Sequence, residues 1–188
     1  MKRNPAVRIV TGKQRTEITQ FFEQMRDTAR LHFERDAFCE PVALFLQDQA
    51  VSVLPLREFI NDKDAASAIL NKAIEAVQPL AFVLITEAWM AKADEQPADA
   101  AGNPVDLREK YQGHLTEATP GGNATPKQGV KEVVMLQCSS VAGDNFMLTA
   151  DIVRAEGTAP VLMPWAQTEN IRAEGRFIFD VTPLVERQ

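Results

Sequence analysis

The chain has 188 residues, 45% of them hydrophobic and 24% charged, which is ordinary for a folded protein whose core needs no disulfide or metal staples. Its net charge of −6 argues against general nucleic-acid binding, because an acidic body repels phosphate groups. No apolar run approaches the roughly 18 residues that span a bilayer, so membrane insertion is not expected.

Residues 1–12 form a basic arm that we expect to be flexible and solvated. Five basic side chains and no acidic one occur within the first fifteen residues: Lys2, Arg3, Arg8, Lys13 and Arg15. Contact with a polyanion is the alternative role for this arm, although the acidic remainder makes nucleic acid an unexpected partner. The arm contains no apolar segment typical of a secretory signal, and we therefore expect a cytoplasmic protein.

Two segments have the periodicity of amphipathic helices. Residues 13–35 repeat apolar side chains at helical spacing, with polar residues on the other face, which predicts a helix packed on a sheet. Thr11 or Thr16 is a suitable cap for it. The second helix follows Asn61 or Asp62, either of which is a suitable cap.

Strand signals surround the second helix. Residues 41–54 predict a β-hairpin, because two short apolar arms flank a polar turn and prolines bound them. Residues 80–91 are strongly apolar and rich in β-branched and aromatic side chains, which predicts a central strand buried on both faces. A Pro/Gly-rich loop insertion follows over residues 92–129, either disordered or an ordered binding loop. Within it, residues 104–113 alone suit a short helix.

The chain then returns to the sheet. Residues 132–138 and 146–153 predict a second hairpin. Residues 159–165 are apolar with prolines at both ends, which favours an edge strand or an extended covering segment, and residues 176–181 alternate like a final strand. The predicted fold is α+β, a single domain over residues 1–188, with a central mostly antiparallel sheet, two packed helices and one long loop insertion.

No motif specifies a reaction. The two histidines and two cysteines are too widely spaced for a zinc site, and neither a phosphate-binding glycine loop nor a Gly-x-Ser-x-Gly turn is present. We therefore predict no metal and no cofactor. Cys39 and Cys138 are expected to be reduced core thiols, with a disulfide or a nucleophilic pair as the alternatives.

The candidate catalytic residues are one acid in the central strand and two side chains in the long loop. Glu87 either faces solvent at the strand end, pairs with a cation such as Arg154 or Arg176, or is buried with a raised pKa suited to proton transfer. Tyr111 and His114 share a helical face if the loop helix extends that far.

Candidate binding residues are Leu162 and Trp165 in the proline-flanked edge, and Trp89 in the central strand, although tryptophans in strands usually serve packing. The leading hypothesis is a cytosolic protein-interaction domain of bacterial or phage type whose working surface is the 92–129 loop and the 160–165 edge. Its expected partner is a second copy of the chain or another protein. The alternative is a hydrolase-like enzyme using Glu87, or a small-ligand-binding protein with a pocket under the 92–129 loop. Catalysis is the less favoured of these functions.

Overall fold

A computed structural model describes residues 10–48, 50–59, 62–91, 116–118, 124–126, 130–155 and 157–169. Within these ranges two helices pack on an antiparallel sheet of seven strands. The predicted α+β class, with two packed helices and a mostly antiparallel sheet, is confirmed.

Helix α1 spans Gly12–Asp36 and begins at Thr11, one of the two predicted caps. The Thr11 side chain accepts a hydrogen bond from the Gln14 backbone, and the Gln14 side chain accepts one from the Thr11 backbone. This capping box satisfies two N–H groups that the first turn leaves free. At the other end Ala37 takes a left-handed conformation, with φ 56°, and turns the chain towards the sheet.

The first hairpin and the second helix also lie where the sequence predicts them. Strands β1, Val42–Leu46, and β2, Val51–Pro55, pair antiparallel, and a single 3₁₀ turn follows at Arg57–Phe59. Helix α2 spans Lys63–Val77 and is capped by Asp62, whose side chain accepts from the Ala65 backbone.

The central strand is β3, Ala81–Ala91, which pairs with β1 on one side. Strand β6, Val130–Ser140, pairs with β3 along eleven residues, from Ala81 opposite Ser140 to Ala91 opposite Val130. Strand β7, Asn145–Val153, returns beside β6 after a tight turn. Both predictions, a buried central strand and a second hairpin, are confirmed.

The two helices cover opposite faces of the sheet. One buried cluster joins α1 to Val83, Ile85, Val134 and Leu136, among others. A second cluster joins α2 to alternate residues of β1 and β3: Ala43, Phe45, Phe82 and Leu84. Because successive strand residues point to opposite faces, β3 is buried on both sides along its first half. Neither helix in the described part is long and apolar enough to cross a membrane.

The proline-flanked segment forms an edge, as predicted. Strand β8, Val161–Leu162, and strand β9, Ala166–Glu169, both pair with the outer side of β7. Within the 92–129 insertion the structure describes a short antiparallel hairpin, β4, Thr116–Ala118, with β5, Ala124–Pro126. The rest of the insertion, the arm before residue 10 and the strand predicted at 176–181 lie outside the described residues.

Candidate functional site at the open edge of the central strand

Strand β1 stops halfway along β3 and leaves the rest of that edge open. It pairs with β3 from Ala81 to Ile85, whereas β6 pairs along the whole strand. Strand β1 begins at Val42, opposite Ile85, and the carbonyl of the preceding Pro41 accepts from Leu56 N at 2.9 Å, on the side of β1 that faces away from β3. No strand in the described part pairs with the β1 side of β3 beyond Ile85.

Backbone groups of β3 point into this gap. Val141 N donates to Leu80 O at the start of the antiparallel ladder between β3 and β6. Hydrogen-bonded positions recur at every second residue of such a ladder, so the N–H and C=O groups of Phe82 and alternate residues after it point towards β6. The intervening residues, among them Glu87 and Trp89, direct their N–H and C=O groups to the other side. The gap therefore presents a short stretch of strand edge without a described neighbouring strand.

A half-open cavity of about 310 Å³ lies at the gap, at the lower end of the range of roughly 300–1,000 Å³ for ligand sites. Its walls include Phe38, Pro41 and Trp89, and its charged lining residues are Glu87 and Glu132 with Arg57. Phe38 is exposed and Trp89 half-buried. The cavity is therefore mainly apolar with a few charged groups at its border, which is the usual character of a small-molecule site.

Glu87 is half-buried in this cavity. Its Oε1 accepts a hydrogen bond of 2.8 Å from Cys39 N, so the carboxyl satisfies a backbone donor of the segment that follows α1. Burial raises the pKa of Glu87 above its ordinary 4.5; the Cys39 bond opposes that rise, the Glu132 charge adds to it and the Arg154 charge opposes it. Of the three predicted environments, the buried one with a raised pKa fits best, although burial is partial.

The ion pair between Glu87 and Arg154, one of the three alternatives for this acid, does not form. Arg154 instead donates from Nε and a terminal nitrogen to both carboxylate oxygens of Glu132, at 2.7 and 2.8 Å. On the other side of the cavity, Arg57 pairs with Glu40 at 2.9 Å. Arg176, the other predicted partner, lies outside the described residues.

Cys39 lines the cavity as a buried thiol. Its Sγ donates to the Ala29 carbonyl at 3.4 Å, and burial raises the pKa of the thiol to about 12. Burial also raises the pKa of Cys138. Because the thiolate is the reactive form, both residues behave as the free, buried core thiols that the sequence predicts.

The other candidate residues are not brought to this site by the described residues. Tyr111 and His114 lie outside the described ranges, and their convergence with Glu87 stays a prediction. Leu162 is only 5% exposed and packs in the α1 cluster, and its binding role stays a prediction. Trp165 is half-buried against the same cluster, 5.8 Å beneath the Arg30 guanidinium.

Sequence reasoning missed Phe38, Arg57 and Glu132 as neighbours of Glu87. One signal was present, since the apolar arm after Pro41 is much shorter than the central strand it pairs with. In the ranges that the structure covers, no group of three or more histidine, cysteine, aspartate or glutamate side chains is placed to hold a metal ion.

No protein-family model matches this chain, and neither a curated protein nor a solved structure is similar enough to it to count as a match.

Proposed function

We propose that this chain is a binding protein that holds a small, largely apolar ligand in the cavity beside Glu87. The observation that carries the proposal is the cavity itself, of about 310 Å³, at an edge of β3 whose backbone groups have no described strand neighbour. Apolar concave sites with a few fixed polar groups are the usual form of ligand pockets. A cytoplasmic location accompanies the proposal, because free buried thiols are typical of reducing compartments.

Binding is favoured over hydrolysis by the state of the neighbouring groups. The Cys39 thiol is held protonated, and both Glu132 oxygens accept from Arg154. Glu87 is therefore the one lining carboxyl in the described part without a cationic partner. A hydrolase needs a second proton carrier such as His114 or Tyr111 over it.

A titration with 2-phenylethanol followed by ¹H–¹⁵N NMR tests the binding proposal. Phe38 and Leu31 are both exposed apolar residues, 45% and 65% respectively, but only Phe38 is a lining residue. Phe38→Ala is expected to weaken binding by about tenfold, a loss of about 1.4 kcal/mol of contact, and Leu31→Ala to leave it unchanged. No binding at millimolar probe, or an equal effect of both variants, contradicts the proposal.

Self-association is the second candidate, and a surface patch at the β7–β8 edge favours it. Val153 and Val161 lie directly opposite each other and are 48% and 58% exposed, beside Met163 at 43%. Their neighbours Ile152 and Leu162 point towards α1, so the exposed residues lie on the other face. The described part places no strand outside β8, and the edge of a second copy fits there.

Sedimentation velocity on the wild type and two variants tests this candidate. Val161→Asp places a charge in the patch and is expected to convert an assembled protein to monomers. Leu31→Asp, on the exposed side of α1, is the matched control and is expected to leave assembly intact. A wild type that stays monomeric at tens of micromolar, or assembly that survives Val161→Asp, contradicts self-association through this edge.

A further inference from the structure

The charges around the cavity are balanced except for one. Arg154 is matched by Glu132 in a two-bond pair, and Arg57 is matched by Glu40. Glu87 remains, and within the described residues its hydrogen-bond partner is the neutral backbone N–H of Cys39 rather than a cation. In the described part of the site, the uncompensated charge of an ionised Glu87 is therefore negative.

The geometry leaves an acceptor for a ligand. The Cys39 N–H bonds Oε1 of Glu87, and a carboxylate has two oxygens with about four acceptor positions in total. Because Glu87 is half-buried, a charge that approaches it interacts more strongly than it would in open water. A donor group of a ligand is therefore the natural complement of this carboxylate.

The walls favour a cationic donor. Trp89 and Phe38 line the same cavity, and aromatic rings attract cations through the negative charge on their faces. Glu87 and Trp89 are two residues apart on β3, so their side chains leave the strand on the same face. A cation held by the carboxylate thus lies beside an aromatic ring.

We propose that the cavity selects an organic ammonium ion carrying an apolar body, with the ammonium group on Glu87 and the body against Phe38 and Trp89. This inference rests on the proposed ligand-binding function and adds the chemical class of the ligand. Arg57 supplies the competing possibility, an anionic ligand, but its guanidinium is already paired with Glu40 and 75% of the side chain is exposed, which weakens its attraction for an anion.

Three probes of nearly equal shape separate these outcomes: 2-phenylethylammonium, 2-phenylethanol and phenylacetate. Dissociation constants are measured by ¹H–¹⁵N NMR titration at neutral pH. We expect the ammonium probe to bind about tenfold more tightly than the alcohol, and phenylacetate to bind more weakly than both. Glu87→Gln keeps an oxygen for the Cys39 N–H and is expected to remove the preference for the ammonium while retaining the alcohol. Glu75→Gln, on the exposed side of α2, is the charge-matched control and is expected to change nothing.

Each of the other possible results contradicts the ammonium inference. Equal binding of the ammonium and the alcohol, or a preference that survives Glu87→Gln, overturns the ammonium inference and leaves the ligand-binding function standing. If phenylacetate binds most tightly, the ammonium inference is overturned in favour of an anionic ligand held by Arg57. Failure of all three probes overturns the inference together with the proposed function.

Discussion

The Glu87 side chain joins two parts of the chain that are distant in sequence. The residue lies in the central strand, and its side chain accepts from the backbone of Cys39, 48 positions earlier. Hydrogen bonds to a carboxylate are stronger than neutral ones, yet burial outweighs this bond and leaves the pKa of Glu87 raised. The folded protein thus holds an acid that is easier to protonate than in the unfolded chain.

This raised pKa predicts how stability changes with pH. A folded-state pKa above the unfolded value means that the stabilisation due to this group is complete below about pH 4.5 and is lost as pH rises through the raised value. Glu87→Gln stays uncharged, so its free energy of unfolding is expected to rise relative to the wild type as the pH increases from about 4.5 through the raised pKa of Glu87. Urea unfolding across that range measures the difference. A difference that falls with rising pH would mean that the charged form is the one the fold stabilises.

At the scale of elements, α1 holds the far edge of the sheet through Arg30. Its guanidinium donates to the carbonyls of Leu162 and Met163 at 3.0 and 2.7 Å and lies over the Trp165 ring. Prolines at 160 and 164 limit the ladder bonds that this segment can make. The Arg30 side chain thus supplies hydrogen bonds to this segment that strand pairing does not provide.

Replacing Arg30 tests this role. Arg30→Ala removes two hydrogen bonds from a charged donor and is expected to reduce the free energy of unfolding by about 1–3 kcal/mol. Hydrogen exchange at the Met163 amide, which donates to Asp151 O at 2.9 Å, should accelerate as well. Arg26→Ala, one turn earlier on the same helix, removes a surface contact with its neighbour Asp27 and should cost no more than about 0.5 kcal/mol. Equal losses in the two variants would show that Arg30 contributes only as a surface charge.

Local chemistry explains which elements the sequence predicted. Thr11 and Asp62 are capping residues in the structure because their side chains satisfy free N–H groups within three residues, and such signals need no knowledge of the fold. The proline boundaries of the first hairpin and the apolar character of β3 are equally local. Local signals of this kind fix where elements begin and end.

The cavity follows instead from how the elements combine across the whole molecule. It requires that β1 begin only at Val42, opposite Ile85, while β3 continues to Ala91. It also requires that the left-handed turn at Ala37 carry Phe38 and Cys39 across the open edge. It also requires Glu132 of β6 and Arg57 of the 3₁₀ turn to approach from either side. Sequence singled out Glu87 because an acid in an apolar strand is unusual, but its surroundings depend on these long-range pairings.

Ligand binding beside Glu87 is tested most directly by a crystal structure of the protein soaked with 2-phenylethanol. Ligand binding at the open edge of β3 predicts density for the phenyl ring between Phe38 and Trp89, with the hydroxyl within hydrogen-bond distance of Glu87. The opposite result is a cavity without probe density while the probe occupies another surface, such as the Val153 and Val161 patch. That result would contradict the proposed function and would favour the sheet edge as an interface.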